Sequence, residues 1–346
     1  MELTPDQLEF QDLTRRFLTN AISSDYIRQR YESGMRSDAS LLSTLGGLGL
    51  QEAFSGPSPA YGVQELGVLF SELGRTLCPE PIGERVLLDA VLSQLLSVGS
   101  RERLAALSPK GATTAMASPR CCSLSITETT GRLNGEVAWA FGVDGANRMV
   151  AFVESCGSLR AVAVGLGQPG VTVTPERSLD LTHSLSSVRL RDAECVLFED
   201  GESSALLHLL YVVKACEVYG ITSRVVEMTV DYLKTREQFG VPIGAFQALQ
   251  HRLADAYATS ESLGALARFA AWSATQSDRA QASLTAAAAI SQAGEVGPAV
   301  CEAVIQCHGG IGFTWEFDLH LYLRRVRSIA AAFPLCAQVG ELLAQR

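Results

Sequence analysis

The sequence predicts a multidomain α+β protein in which a helical N-terminal domain, a middle β domain and a C-terminal helical bundle follow one another. Three observations indicate this order: apolar residues at helical spacing up to residue 110, short β-prone runs over 111–200, and long amphipathic patterns over 201–346. The chain has 346 residues, 47% hydrophobic and 19% charged, which is enough to bury separate cores. We therefore expect domains at 1–110, 111–200 and 201–346, the last of them a four-helix bundle.

The first domain is predicted to be helical. Thr4 is a suitable N-cap, Pro5 fits the first helical position, and apolar residues follow at helical spacing from Leu8 to Leu18. Glycine and proline residues separate the further helical patterns. These patterns cover Ser40–Leu45, Val63–Leu77 and Gly83–Leu96.

Six short runs rich in β-branched and apolar residues predict strands in the middle domain. Turns of Gly, Asp and Pro separate them, and the regular spacing is typical of a compact β domain. The predicted strands are Ser123–Thr127, Ala138–Phe141, Arg148–Val153, Leu159–Val164, Val171–Val173 and Val188–Leu190.

In the last domain the apolar period returns to that of a helix, over much longer stretches. The predicted helices are Ala205–Thr235, Phe246–Ala274, Arg279–Cys307 and a tail helix from Ala330.

Composition excludes several classes of function. The net charge of −9 argues against nucleic acid as a partner, because binding phosphate backbones requires a basic surface. No uninterrupted apolar run reaches the roughly 18 residues that span a bilayer, and the first residues lack the features of a signal peptide. Nine cysteines are scattered without CxxC or metal-ligand spacing. We expect reduced thiols in a cytoplasmic protein with no metal site and no membrane partner.

Residues 236–255 join two of the predicted helices and carry side chains suited to a phosphate group. Arg236 ends the first helix, a turn rich in glycine follows, and Phe246 begins the next helix. A guanidinium can make planar, bidentate contact with a pyrophosphate, and Phe239 offers an apolar face beside it. Gln247 lies in the first helical turn, where it can donate to a phosphate. An ordinary helix hairpin with a basic end is the alternative.

Residues 306–314 carry a second pattern suited to a ligand. Gly309, Gly310 and Gly312 let the backbone approach a ligand closely, and exposed N–H groups in such a turn suit an anion or the edge of a nucleotide. His308 precedes these glycines without a pattern of Ser, Cys or carboxylate partners. We therefore expect a neutral structural histidine rather than an acid or base.

Together, residues 236–255 and 306–314 resemble the C-terminal signature of the acyl-CoA dehydrogenases. The helix–β–helix order is similar to that family's fold, so the resemblance covers most of the chain, although the motif matches lie in the C-terminal third. In that family both segments hold the adenine and pyrophosphate end of an FAD whose flavin ring lies in a neighbouring subunit. The resemblance implies FAD as the cofactor. It assigns the cofactor contacts to Arg236, Phe239, Gln247, Gln306, Gly309 and Gly310.

The resemblance also indicates where a catalytic base would lie, and no carboxylate is found there. The family removes the α proton of a thioester with a Glu carboxylate while hydride leaves the β carbon for flavin. Ungapped counting places the commonest base at Phe333 and the alternative base at Leu210, and Arg325 replaces the usual Asp. Glu217, about two turns beyond Leu210, lies on a similar helical face and is the remaining candidate. A buried, ion-paired Glu is the other interpretation of that residue.

The middle domain departs from the family where the flavin ring would be seated. The matching stretches are 113–118 and 137–142, in which the family's Trp-Ile-Thr pattern and Gly-Ser-Asp loop are missing. Trp139 is still aromatic, and we expect it in the core rather than against a flavin.

The resemblance therefore implies a chain that contributes half of an FAD site. We expect a paralogous acyl-CoA dehydrogenase subunit as its partner in an α2β2 heterotetramer, with the acyl-CoA bound mainly by the partner. Heteromeric acyl-CoA dehydrogenases of this kind act in bacterial steroid degradation, which makes a steroid-CoA the implied substrate. One alternative is a self-sufficient homo-oligomeric dehydrogenase or oxidase that uses Glu217 as the base. Another is a non-catalytic scaffold without FAD.

Overall fold

The computed structural model divides into two compact units, each assembled from several segments of the chain. The first unit comprises Met1–Arg28, Val63–Cys78 and Leu209–Arg346, and the second comprises Gln29–Gly62 and Pro79–His208. The boundaries at 110 and 200 stay a prediction, because these units are defined by spatial contact rather than by chain order. The described residues are 2–47, 49–54, 59–86, 88, 96–107, 114–119, 122–127, 131–155 and 157–333.

Helices dominate the first third and the last 130 or so residues of the described chain, in agreement with the predicted fold class. Helical residues at 83–86 fall in the helix predicted at Gly83–Leu96, and most of the rest of that stretch lies outside the described residues. The helices are α1 (Pro5–Ala21), α2 (Ser24–Ser33), α3 (Ala39–Gly46), α4 (Leu50–Phe54), α5 (Val63–Arg75), α6 (Val98–Leu107), α7 (Asp200–Thr235), α8 (Gln247–Ser273), α9 (Arg279–His308) and α10 (Leu319–Ala332).

Thr4 caps α1 as the sequence predicts. Its Oγ1 accepts a hydrogen bond from the Gln7 N–H at 3.3 Å, while the Gln7 side-chain oxygen accepts from the Thr4 N–H at 3.1 Å. This reciprocal capping box, with Pro5 at the first helical position, fixes where the helix begins.

The second unit contains the predicted β domain as one seven-stranded sheet. The strand order is β2-β3-β1-β4-β5-β7-β6, and a further pairing of β3 with β7 closes five of the strands into a barrel. Alternate side chains point inward from each wall and form an apolar core that includes Val137, Met149 and Val188. The strands are β1 (Thr114–Ala117), β2 (Cys122–Thr127), β3 (Arg132–Phe141), β4 (Arg148–Ser155), β5 (Ser158–Gly165), β6 (Val171–Glu176) and β7 (Leu185–Leu197).

The predictions for the middle domain need three corrections. Strand β1 was not predicted, and β3 and β7 are much longer than the predicted Ala138–Phe141 and Val188–Leu190. Charged residues interrupt the apolar run of β7 in the sequence: Arg189, Arg191 and Glu194 are exposed, whereas Leu190 and Ala193 between them are buried. The third correction concerns Trp139, which is only half-buried on the face opposite the core residue Ala140.

In the first unit, α5 and α7 pack backbone against backbone. A Cβ on Gly220 would lie 1.8 Å from the Ser71 carbonyl oxygen, and one on Gly74 would lie 2.2 Å from the Glu217 carbonyl oxygen. Only glycine permits this approach. By length and composition α7 could cross a membrane, with a mean hydropathy of 1.3 over 18 residues, but 83% of that window is buried inside the structure. Such burial is typical of a core helix.

The last described helix also differs from its prediction. A helix was expected only from Ala330, whereas α10 already begins at Leu319 and ends at Ala332. The residues from 334 onward lie outside the described residues. Arg325 in the middle of α10 is 1% exposed, so a charged residue lies on the buried face of this helix. It interrupts the apolar pattern by which the helix would be predicted from the sequence.

Candidate functional site

A two-stranded hairpin joins α7 to α8 and presents the first group of predicted site residues. Strand β8 (Glu237–Gln238) pairs with β9 (Val241–Pro242), and the Ile243 N–H donates to the Arg236 carbonyl at 2.8 Å. The two residues at the tip, Phe239 and Gly240, have φ angles of +53° and +80°. Positive φ at both central residues is the geometry of a type I′ turn.

Phe239 occupies this turn without support from packing. Its side chain is 93% exposed, and it meets Phe246 edge-on with ring centroids 6.2 Å apart. A bulky residue with positive φ is strained, and such strain is concentrated at functional sites. The hairpin thus holds an aromatic face out to solvent beside Arg236, which is also exposed.

Gln247 is the exposed first residue of α8. Its N-cap, Phe246, supplies no side-chain hydrogen bond to the helix. The N–H groups of Leu249 and Gln250 donate to the Phe246 carbonyl at 3.0 and 3.1 Å. The first two N–H groups of α8 therefore keep their capacity to bind an anion, and the positive end of the helix dipole lies there too.

The second group of predicted residues lies where α9 ends. Gly309 is its C-cap with a φ of +66°, and a 3-10 helix follows over Gly309–Phe313. Gln306, Gly309 and Gly310 are exposed. A Cβ added at Gly309 or Gly310 would meet nothing within 4 Å, whereas one at Gly312 would lie 2.9 Å from the Ile305 carbonyl oxygen.

These glycines therefore serve different purposes. Gly312 is required by the chain's own packing, and Gly309 by its backbone conformation. Gly310 has neither a positive φ nor a close neighbour. An open, Cβ-free backbone at this position fits a ligand that approaches from outside the chain.

The structure brings the two groups together. Leu233 and Ile243, on either side of the hairpin, form a buried cluster with Cys307 from the end of α9. Tyr232, in the last turn of α7, stacks on His308 with ring centroids 4.2 Å apart. Arg236, Phe239, Gln247, Gln306, Gly309 and Gly310 are thus exposed residues carried by two segments that share one small core.

His308 agrees with its prediction as a neutral structural residue. It is 5% exposed, and its Nδ1 lies 2.9 Å from the Val304 carbonyl oxygen. Burial lowers the pKa of the imidazole, although the hydrogen bond to Val304 acts in the opposite direction. The ring is therefore uncharged at neutral pH and packs as an aromatic.

Glu217 lies in a buried ion-pair cluster rather than at an open surface. Lys214 Nζ donates to its Oε2 at 2.6 Å, and Arg325 Nη1 donates to its Oε1 at 2.9 Å. All three side chains are at most 5% exposed. A general base must offer a carboxylate oxygen to the substrate proton, but both oxygens here are already bound by cations. This geometry favours the ion-paired interpretation of Glu217.

The two other base positions are apolar and closed. Leu210 is completely buried, and Phe333 is 3% exposed. The Phe333 ring meets Tyr211 edge-on with centroids 6.3 Å apart. Neither position can remove a proton. In the middle domain, β1 is buried throughout, and residue 113 of the expected flavin-facing stretch lies outside the described residues.

The sequence analysis missed the aromatic residues that connect the two groups. Tyr232 lies one helical turn before Arg236, and Phe317 follows the glycine turn. The four-residue spacing between Tyr232 and Arg236 was a usable signal, because it places Arg236 one helical turn beyond Tyr232 at the end of α7, where the Arg236 N–H donates to the Tyr232 carbonyl at 2.9 Å. No local pattern indicated that Tyr232 would meet His308, since 76 residues separate them along the chain.

Comparison with known proteins agrees with the predicted fold. Residues 207–332 match the family described as acyl-CoA dehydrogenase, C-terminal domain. Over 267 residues the chain is 32% identical to acyl-CoA dehydrogenase IpdE2 of Mycobacterium tuberculosis, which covers 77% of this chain and 72% of that protein.

Solved structures show the same fold at lower identity. A variant of the Tcur3481–Tcur3483 steroid ACAD has a TM-score of 0.86 at 24% identity, covering 98% of each chain. The ChsE4–ChsE5 complex from Mycobacterium tuberculosis has a TM-score of 0.79 at 23% identity, covering 99% of this chain and 96% of that one. The predicted fold class is thereby confirmed, and FAD is the cofactor that goes with this family.

Proposed function

The chain belongs to the acyl-CoA dehydrogenase family, and from that premise we propose that it is one subunit of a heteromeric, FAD-dependent acyl-CoA dehydrogenase. Family membership supports an oxidoreductase that acts on an acyl-CoA. In the proposed assembly this chain supplies the adenine and pyrophosphate half of the FAD site. A paralogous partner subunit supplies the catalytic base, the flavin pocket and most of the acyl-CoA contacts.

One contrast carries the proposal. The surface suited to the nucleotide end of FAD is open, with a strained aromatic at Phe239 and a glycine at Gly310 that nothing in the chain requires. The base positions at Leu210 and Phe333 are filled by buried apolar side chains, and Glu217 is held between two cations. A chain that keeps a surface for the nucleotide end of FAD but lacks a catalytic base needs a partner subunit to supply that base.

The exposed residues fit the nucleotide end of FAD. Arg236 has an exposed guanidinium for the pyrophosphate, and the exposed ring of Phe239 provides an apolar face on the same hairpin. The Gln247 side chain and the first two N–H groups of α8 add donors for phosphate oxygens. The open, Cβ-free backbone at Gly309 and Gly310, with Gln306 nearby in the sequence, suits the adenine. When bound, FAD accepts the hydride from the β carbon of the acyl-CoA.

The partner and substrate follow from the same proposal. An α2β2 heterotetramer would hold one FAD for each pair of unlike chains, in the cytoplasm. Similarity in fold to a steroid ACAD built from two named components supports a steroid-CoA thioester as the substrate. The likeness to the ChsE4–ChsE5 complex supports partnership between unlike chains.

The test is FAD retention by the complex of this chain with a paralogous dehydrogenase subunit encoded beside it. Arg236→Ala removes a charge-assisted contact worth about 1.5–3 kcal/mol, so FAD affinity should fall about ten- to hundredfold. Arg279→Ala is the matched control, because Arg279 is an exposed arginine at the first position of α9. Unchanged FAD affinity in the Arg236 variant would favour the scaffold interpretation and refute the half-site.

A further inference from the structure

Three aromatic rings meet where the two candidate FAD-binding segments touch. Tyr232 stacks on His308 at 4.2 Å with an interplanar angle of 18°. Phe317 closes the group, with its centroid 5.2 Å from His308 at 61° and 5.4 Å from Tyr232 at 79°. We call Tyr232, His308 and Phe317 the aromatic triad. Each ring contacts both others in a favourable stacked or edge-on arrangement.

The triad joins three separate stretches of chain. Tyr232 lies in the last turn of α7, four residues before Arg236. His308 is the last residue of α9 and is bonded directly to Gly309. Phe317 follows the 3-10 helix that begins at Gly309. His308 therefore connects the glycine turn directly to the end of the helix that precedes the hairpin.

The tautomer of the neutral His308 ring follows from its hydrogen bond to the Val304 carbonyl. A carbonyl oxygen only accepts, so the Nδ1 that lies 2.9 Å from the Val304 oxygen carries the proton. Nε2 is then an acceptor, and it has no hydrogen-bond partner among the described residues. The ring is thus held by stacking and by one bond to its own helix, not by a polar network across the segments.

Packing beside the triad restricts the glycine turn further. A Cβ on Gly312 would lie 3.1 Å from the His308 Cβ and 2.9 Å from the Ile305 carbonyl oxygen. The turn therefore folds back directly onto His308. Gly309 and Gly310, by contrast, have no neighbour within 4 Å of an added Cβ to hold them in place.

We propose that His308 is a positioning residue for FAD, which fixes the glycine turn in register with the Arg236 hairpin through its stack on Tyr232. This inference rests on the proposed function, in which both segments bind the nucleotide end of one FAD. His308 acts through Gly309 and Gly310, and its own ring does not bind the cofactor. FAD affinity thus depends on a buried side chain that is not one of the six residues predicted to contact the cofactor.

The first measurement is amide hydrogen exchange at residues 309–312 in the full chain without FAD. His308→Ala should speed this exchange about tenfold, because the variant lacks the ring that packs on Tyr232 and Phe317. His308→Phe restores an aromatic ring and should return exchange to within about threefold of the native chain. His320→Ala is the matched control, since His320 is another buried histidine that contacts Trp315 instead of the triad. It should leave exchange at 309–312 unchanged.

The second measurement is FAD affinity in the assembled complex. His308→Ala should weaken binding about tenfold, His308→Phe should recover it, and Tyr232→Leu should weaken it from the other side of the stack. Tyr232→Leu also replaces His308→Ala if the latter does not fold, because it keeps an apolar side chain.

The outcomes separate this inference from its premise. Weaker FAD binding with unchanged exchange at 309–312 would indicate direct contact and overturn positioning. Failure of His308→Phe to recover either property would overturn the role of the stack. If the native complex binds no FAD while the exchange results follow expectation, the half-site proposal fails. The role of the aromatic triad in holding the glycine turn against the end of α7 would still stand.

Discussion

Replacing Phe239 by Asn should stabilise the chain while weakening FAD binding. Phe239 has a φ of +53° at the tip of a type I′ turn and is followed by Gly240. The left-handed conformation disfavours an ordinary L-residue by about 1–2 kcal/mol, whereas Asn adopts it readily. Phe239→Asn also creates Asn-Gly, which is the favoured pair for this turn.

The Phe239 ring itself contributes little to the stability of the folded chain. With 93% of the side chain exposed, its replacement removes little burial energy, and the edge-on interaction with Phe246 is worth about 0.5 kcal/mol at an exposed site. The balance is an increase of about 0.5–1.5 kcal/mol in the free energy of unfolding. Phe239→Leu is the control: it keeps an apolar side chain without any preference for positive φ, and it should not stabilise the chain.

Urea unfolding of the chain measures the first effect, and FAD titration of the assembled complex measures the second. The expected pattern is a higher urea midpoint with weaker FAD binding for Phe239→Asn alone. A lower midpoint would contradict the strain at this turn. Unchanged FAD affinity would show that the strain serves no cofactor contact.

Three further predictions follow from the same structure. Gly310→Ala should leave the free energy of unfolding within about 0.5 kcal/mol of native, because the added Cβ meets nothing within 4 Å. It should nevertheless weaken FAD binding by the complex. Unchanged FAD affinity would argue against the glycine turn as a ligand surface. Glu217→Gln should lower the free energy of unfolding by about 3–5 kcal/mol, since it leaves two buried cations without their partner, but the complex that still assembles should keep its turnover number. A turnover reduced by orders of magnitude at full FAD occupancy would instead identify Glu217 as the base. Burial lowers the pKa of His208, His308 and His320 below the ordinary 6.5. The unfolded state therefore binds more protons than the folded state near and below that pH. Urea unfolding between pH 7.5 and 5 should show that the free energy of unfolding decreases as the pH is lowered, and that it decreases less steeply in His308→Phe. An equal slope in the variant and the native chain would contradict the burial of that ring.

The sequence predicted the fold class where local chemistry agrees with the final structure. Thr4, Pro5 and Gln7 contain everything needed to start α1, and the observed cap confirms the predicted helix start. The long apolar periods of α7, α8 and α9 likewise predicted their positions to within a few residues.

Predictions were wrong where distant contacts decide the structure. Most of β7 was missed because exposed charged residues break its apolar run, and its pairing with β3 and β6 holds them in a strand. Most of α10 was missed for a related reason. Arg325 looks like a surface residue locally, but Glu217, 108 residues away, makes its burial favourable.

The candidate site shows the same division. Residue types and spacing predicted Arg236, Gln247 and the glycines as members of two ligand-binding segments, and that assignment stays a prediction. They did not indicate the strained φ of Phe239, since Phe has no preference for that conformation. They also did not indicate the stack between Tyr232 and His308, which exists only after the helices have packed.

The number of FAD molecules per chain tests the central proposal most directly. We predict that the chain purified alone retains no FAD, and that co-expression with its paralogous partner gives a complex with one FAD for each pair of unlike chains. One FAD per chain in a homo-oligomer of this chain would contradict the half-site. In that case Glu217, despite its two cationic partners, would have to be tested again as the base.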